Sequence, residues 1–334
     1  MHLFFASVFT GGRGAISVTK LVIKRLLILI PILLLISLVT FILTNLAAGD
    51  PASIMLRVDN GPQSEEAMKI VRKEWGLDKP LPVQYKNWLI KAVHLDFGNS
   101  YQSKRPAWEE LSSRFPATLR LGLCAMIFLL AIALPWGILS AIYPDSWLDD
   151  VGRAFSFVSV STPAFWMGLV FLYFFGVKLS WVPVVGNGQG LQIILPALTM
   201  ALGRSGTCIR LLRTTMLDVL NSGYIRAARA KGLRERLVIS RHALKNAILP
   251  VVTRLGGILG AFLGGSAIME TVFSWPGVGK YALESILYKD IPVIQGYVLF
   301  MAAMVVVINL FVDIIYILNS RRKIIATHKK ITDE

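Results

Sequence analysis

Residues able to bind metal or move protons are few. The four histidines are His2, His94, His242 and His328. Only His94 has a carboxylate close by, at Asp96, and a lone His-x-Asp is more often a solvated pair than a ligand set. No His-Glu-x-x-His, no Gly-x-Ser-x-Gly and no paired aspartates within apolar runs occur, which leaves metalloprotease, serine-hydrolase and aspartyl chemistry without a basis. The stretch Gly277-Val278-Gly279-Lys280-Tyr281 approaches a phosphate-binding loop. Ser274 stands where that loop needs its first glycine, and Tyr281 replaces its hydroxyl ligand, so it reads as a turn opening a short helix. Cys124 and Cys208 lie in apolar segments without a CxxC spacing and read as small buried hydrophobes. No metal site and no cofactor are expected.

The remaining chemistry belongs to charges inside apolar runs, Arg204 and Glu270, each close to a methionine, Met200 and Met269. What they do depends on the elements that carry them. The 334 residues are 54% hydrophobic and only 16% charged, with a mean hydropathy of +0.60. That composition disfavours a soluble enzyme or a disordered chain and points to a protein mostly embedded in a bilayer. Runs free of Asp, Glu, Lys and Arg cover 26–49, 121–144 and 154–177. A fourth helix is expected from about 193 to 212, a fifth from 249 to 273 interrupted by Arg254 and Glu270, and a sixth over 291–312. Each is near the roughly 20 residues needed to cross the hydrocarbon core. The expected architecture is an all-α polytopic membrane protein with six transmembrane helices and a small extracytoplasmic helical subdomain between the first and second.

The net charge of +15 would suggest nucleic acid in a soluble domain. Its distribution argues otherwise. With the N-terminus inside, the short inside segments hold 20 Lys and Arg against 3 in the short outside ones, so both termini are expected to be cytoplasmic. The division expected is a tail (1–20), a first transmembrane helix (21–47), the outside subdomain (48–116), a membrane core (117–318) and a cytoplasmic tail (319–334). Within the subdomain, Ser64 followed by Glu65 and Glu66 marks a helix start, Pro82 opens a second helix through Val93, and 106–115 forms a third short one.

Arg204 would lie about 16 Å into its helix. There it either balances a buried carboxylate or lines a water-filled path. Glu270, near the outer end of the fifth helix, is placed to meet a cation arriving from outside. Gly256, Gly260 and Gly264 form a double Gly-x-x-x-Gly face for close helix packing in lipid, within the chain or against a partner. The inside segment 219–247 contains Tyr224-Ile225-Arg226-Ala227-Ala228-Arg229-Ala230-Lys231-Gly232, a short basic helix ended by glycine, with small residues that admit a close neighbour. A second basic helix is expected from Glu235 to Asn246.

That segment resembles the Glu-Ala-Ala-x-x-x-Gly loop of ABC-importer permeases, with Arg226 standing where the pattern has Glu. Ala247-Ile248-Leu249-Pro250 resembles the later part of the pattern, separated from Gly232 by 14 residues rather than nine. These departures are typical of the dipeptide, oligopeptide and nickel permeases. The resemblance extends through Gly49-Asp50-Pro51-Ala52, Leu77-Asp78-Lys79-Pro80, Asp96-Phe97-Gly98, Pro116-Ala117-Thr118-Leu119 and Glu270-Thr271-Val272-Phe273-Ser274-Trp275-Pro276-Gly277. Leu56-Arg57 and the stretch from Trp88 to Gly98 look most like the nickel permease.

The resemblance implies one half of a heterodimeric pore in the cytoplasmic membrane. Its partners would be a homologous second permease subunit, two cytoplasmic ATPases and an extracytoplasmic substrate-binding protein, with no nucleic acid and no nucleotide site of its own. Tyr224, Arg226, Ala227, Ala228, Arg229, Lys231 and Gly232 would then couple to an ATPase, and Met200, Arg204, Met269 and Glu270 would line the translocation path. Nickel, free or chelated, is the expected cargo, with a peptide or a metallophore as the alternative. No histidine lies in a span, so the path has no evident tight nickel site. An ATP-independent channel or secondary transporter is the competing class, which the basic Ala-Ala-Gly loop disfavours.

Overall fold

The computed structural model describes residues 18–47, 53, 64–74, 78–183 and 190–332. The sequence expectations for 1–17, for 49–52 and for Leu56-Arg57 fall outside them. Among the described residues there are helices and no strand. Helix α1 (Val18–Ala47) precedes two helices of the segment expected to form a subdomain, α2 (Glu65–Glu74) and α3 (Leu81–Val93). Ser64 Oγ accepts the Ala67 N–H at 3.2 Å, the cap expected from its position. The subdomain folds back onto α1, where Tyr85 and Ser37 share a 2.8 Å hydrogen bond and Phe41 packs edge-on against Tyr85.

Helix α4 (Ala107–Ile142) runs 36 residues without a break. The expected separate helix over 106–115 is its first three turns. Pro116 and Pro135 lie inside it. A proline costs about 3 kcal/mol in a helix interior, but Leu111, Leu121 and Leu129 are completely buried along its length, and that packing outweighs local preference.

The apolar run 154–177 does not form one straight span. Helix α5 (Trp147–Ser161) stops, and α6 (Ala164–Phe171) resumes at a bend of 103° before widening into a π-helical turn, Leu172–Lys178. Pro163 forces the break: the residue before a proline is driven out of the helical region, and Thr162 sits at φ −90°, ψ 126°.

Helix α7 (Ile194–Leu220) is the expected fourth span, but it carries Arg204, Arg210, Arg213 and Asp218. Four other helices are long and apolar enough to cross a membrane, or five spans if the bent pair counts as one. Helix α7 falls short because its arginines lower its apolarity, so by length and composition the described residues give fewer than the six expected spans. It packs most extensively on α4 and also on α5 and on the fifth span. Gly206 brings it against the Ser156 backbone, where a Cβ would lie 2.7 Å away.

A short helix α8 (Gly223–Ala230) follows. The helical path from Glu235 passes through a π turn (Val238–Ala243) into α9 (Leu244–Gly265), so the expected second basic helix is the inner end of the fifth span. That span breaks at Ser266 and continues as α10 (Ala267–Val272). Then come α11 (Val278–Leu287) and α12 (Ile291–Thr332). Ser100 Oγ donates to Asp290 at 2.5 Å, which ties the segment between α3 and α4 to the turn between α11 and α12. Burial, with Asp290 adding to it, holds the nearby Tyr101 phenol well above its usual range.

Candidate functional site: a cleft and a short basic helix

The α5–α6 bend sets α6 against the first turns of α7, where Gly168 faces Thr199 and Gly203 faces Ala164, and α9 and α10 meet at Ser266 nearby. A cleft of about 250 Å³ results. Ala164 and Phe165 of α6, Met200 and Arg204 of α7, and Phe262 and Met269 of α9 and α10 line it. Gly203, Ala261 and Gly265 add little bulk, and no acidic residue lines it among the described residues. Three of the four residues expected on the path therefore share one concave surface. Arg204 is exposed there and pairs with no carboxylate among the described residues. It sits ten residues into α7, about 15 Å along the axis. A cation at the centre of a span costs about 2.5–3.5 kcal/mol facing lipid, so this guanidinium belongs to a watered cleft.

Glu270 does not line the cleft. It is 0% exposed. Its Oε1 accepts from Thr118 Oγ1 at 2.6 Å and from Ser266 Oγ at 2.8 Å, and its Oε2 accepts the Lys280 N–H at 2.8 Å. Thr118 in turn accepts the Val278 N–H at 2.9 Å. The carboxylate thus satisfies and electrostatically caps the N-terminus of α11. A Cβ on Gly277 would lie 2.3 Å from the Glu270 carboxyl carbon, which leaves no room there for a cation. The near-phosphate-loop is accordingly the turn that opens α11. Trp275, 1% exposed, donates its indole N–H to the Ala117 carbonyl at 3.0 Å and locks the same turn to α4.

The glycine face divides. A Cβ on Gly256 would lie 2.8 Å from Val312, and one on Gly260 3.3 Å from Val305, so both let α12 approach within the chain. Gly264 meets nothing within 4 Å.

On the other side of α7, Asn221 and Ser222 lead into α8, where Ser222 accepts the Arg226 N–H at 3.2 Å. Gly232 ends the segment at φ +75°, a left-handed conformation suited to glycine. Tyr224, Arg226, Ala227, Arg229, Lys231 and Gly232 are exposed. Ala228 is not: with Ile225 it turns inward against Leu212, Met216 and Val238, so it cannot contact a docking partner directly. Arg229 forms a fork onto Glu235, with contacts of 2.6 and 3.1 Å. That hydrogen-bonded guanidinium pulls the Glu235 carboxyl below its usual range. Tyr224 Oη accepts from Asn246 Nδ2 at 2.9 Å.

One pair was not singled out from the sequence. Asp149, 0% exposed, receives Arg213 Nε at 2.6 Å and Nη2 at 2.7 Å, and also the Asp145 N–H at 3.1 Å. It fastens the start of α5 to the last turns of α7, just before α8. The available signal was Asp145, Asp149 and Asp150 in a loop that orientation alone would make basic.

His94 Nδ1 donates to the Ile90 carbonyl at 2.8 Å, and Asp96 accepts the Gly98 N–H at 3.0 Å. Each is occupied locally. No group of His, Cys, Asp or Glu able to hold a metal ion occurs among the described residues.

The family described as binding-protein-dependent transport system inner membrane component matches residues 133–325, and the N-terminal part of such membrane components matches residues 18–122. The chain is 41% identical over 295 residues to the glutathione transport system permease protein GsiC of Pectobacterium atrosepticum, covering 88% of this chain and 95% of that one. It is 40% identical to the GsiC protein of Salmonella choleraesuis and 38% to that of Escherichia coli K12, with the same coverage. Among solved structures, the crystal structure of an amino acid ABC transporter with histidines contains a chain aligned at TM-score 0.48 and 19% identity, over 64% of this chain and 94% of that one.

Proposed function

From a chain that belongs to the family of inner membrane components of binding-protein-dependent transport systems, we propose a permease subunit that imports small peptides of the glutathione class. The observation that carries the cargo is the 38–41% identity, over 88% of the chain, to permeases named for glutathione transport. The nickel cargo expected from the sequence yields here to the peptide alternative. The cleft supports the change, since its one charge is a cation and no acidic residue lines it. The chain is a multi-pass permease subunit and not an enzyme; ATP is hydrolysed by a separate subunit of such systems.

The proposed movement starts at α8. An ATPase closing on ATP pushes the exposed face of α8, with Arg226 and Lys231 available to its carboxylates. Helix α7 continues from α8 through two residues, and the buried Asp149–Arg213 pair carries its displacement to α5. The bend at Thr162-Pro163 lets α5 and α6 swing as rigid bodies, so the cleft changes the side it opens to. A second, homologous permease completes the path, and a binding protein delivers cargo from outside. The positive bias of the inside segments supports cytoplasmic termini.

The test is purification of the chain with its ATPases and second permease, followed by ATPase assays with the cognate binding protein. Glutathione-loaded binding protein is expected to stimulate hydrolysis several-fold and nickel alone not to. Stimulation by nickel alone would overturn the cargo; failure of any ATPase to co-purify would overturn the transport class.

A further inference from the structure

We propose that Arg204 is the carboxylate-recognising residue of the membrane cleft, selecting peptides with free carboxylates over amidated peptides and bare divalent cations. This deepens the peptide reading and rests on it. Four observations meet at this residue. Arg204 is exposed within the concave surface, at mid-depth of α7. No acidic side chain lines the cleft or pairs with it among the described residues. Arg254 is also exposed on α9, a helix that lines the cleft, so a second cation stands on one of the helices that wall it. The rest of the wall is apolar and adaptable, with Met200 and Met269 beside Phe165 and Phe262.

A guanidinium presents a planar fork that matches a carboxylate with two parallel hydrogen bonds. Glutathione carries two carboxylates and one ammonium at neutral pH and is a net anion. A hydrated divalent cation meets only repulsion here. A single fork in a wet cleft also holds cargo weakly enough to release it, as a conduction path requires.

The complete transporter, reconstituted with its ATPases and loaded binding protein, is assayed for uptake of labelled glutathione and of its diamide. With the same binding protein throughout, the acid-to-amide uptake ratio isolates the permease. Arg204→Gln is expected to lower that ratio about tenfold, the order of one charged hydrogen-bonded contact. Arg204→Lys is expected to keep the preference while raising KM for the acid and not for the diamide. A ratio unmoved by Arg204→Gln overturns the proposal, and is also what a purely structural pairing with the second permease would give. If Arg204→Gln does not assemble, Arg204→Lys decides: an equal change of KM for both cargoes overturns it. Wild-type uptake of glutathione with an unmoved ratio leaves the peptide reading standing and removes only Arg204; absence of any peptide uptake by the wild type removes the peptide reading itself.

Discussion

Glu270 shows how far a single residue can be read from sequence. Its charge inside an apolar run is visible at once, and placing it on the cargo path follows from its position near the outer end of the span. Its actual partners, Thr118 and Lys280, lie 152 and 10 residues away in sequence, and only the fold brings them to one carboxylate. Three donors converge on it, and leaving a buried donor unmet costs about 1–3 kcal/mol each. Glu270→Ala is therefore expected to destabilise the purified complex by about 3 kcal/mol or more, read as a lowered melting temperature. A cargo-binding role would instead change KM and leave melting intact. Gly277→Ala is expected to destabilise at least as much as ordinary overpacking, about 1–3 kcal/mol, because its Cβ would collide with the same carboxyl group. Arg204 was more legible. A charge at mid-span is expected to be functional or paired, and the structure places it on an open concave surface without a partner among the described residues.

At the scale of elements, the helices were largely legible from hydrophobic runs, and their breaks were not. The run 154–177 is apolar throughout, yet it bends at Thr162-Pro163. Pro116 and Pro135 leave α4 intact. The difference lies in packing: fully buried leucines flank Pro116 in α4, and Pro135 lies between buried Leu129 and buried Ala141, whereas Thr162 adopts the extended conformation its proline prefers. The α8 segment was recognisable from Ala, Arg and Gly spacing, but which alanine faces out depended on the core formed by Leu212, Met216 and Val238. Gly232→Asp is expected to strain the left-handed turn at φ +75° by about 1–2 kcal/mol while leaving the rest of the chain folded, since nothing lies within 4 Å of its Cβ position, and to uncouple ATP hydrolysis from uptake in reconstituted vesicles. Unchanged uptake would remove α8 from the coupling role. Asp149→Ala is expected to cost about 3 kcal/mol, because it strands Arg213 beside an empty position; thermal melting of the complex reads it. The Arg229–Glu235 pair contributes less, under about 1 kcal/mol, being exposed. Its sign follows from the depressed Glu235 carboxyl: the contribution is present above the usual glutamate range and lost as pH falls through the lowered value. Glu235→Gln removes it at every pH, and a melting shift of several degrees would contradict that.

For the whole molecule, a net charge of +15 and a 54% hydrophobic content pointed to a membrane protein, with the positive bias of some segments as the basis for its expected orientation. Ordered motifs carried it to the permease class, where its relatives confirm the family. Cargo was the least legible property. Motifs that build a shared scaffold recur across peptide and nickel permeases, whereas the cleft proposed to select cargo is lined by a few side chains from four separate elements. Import is also a property of an assembly, of which this chain is one part. The most direct measurement is ATP-driven uptake into vesicles containing the complete transporter, with labelled glutathione and labelled nickel offered in parallel. The account predicts ATP-dependent accumulation of glutathione and none of nickel; accumulation of nickel without glutathione, or uptake that proceeds without ATP, would contradict it.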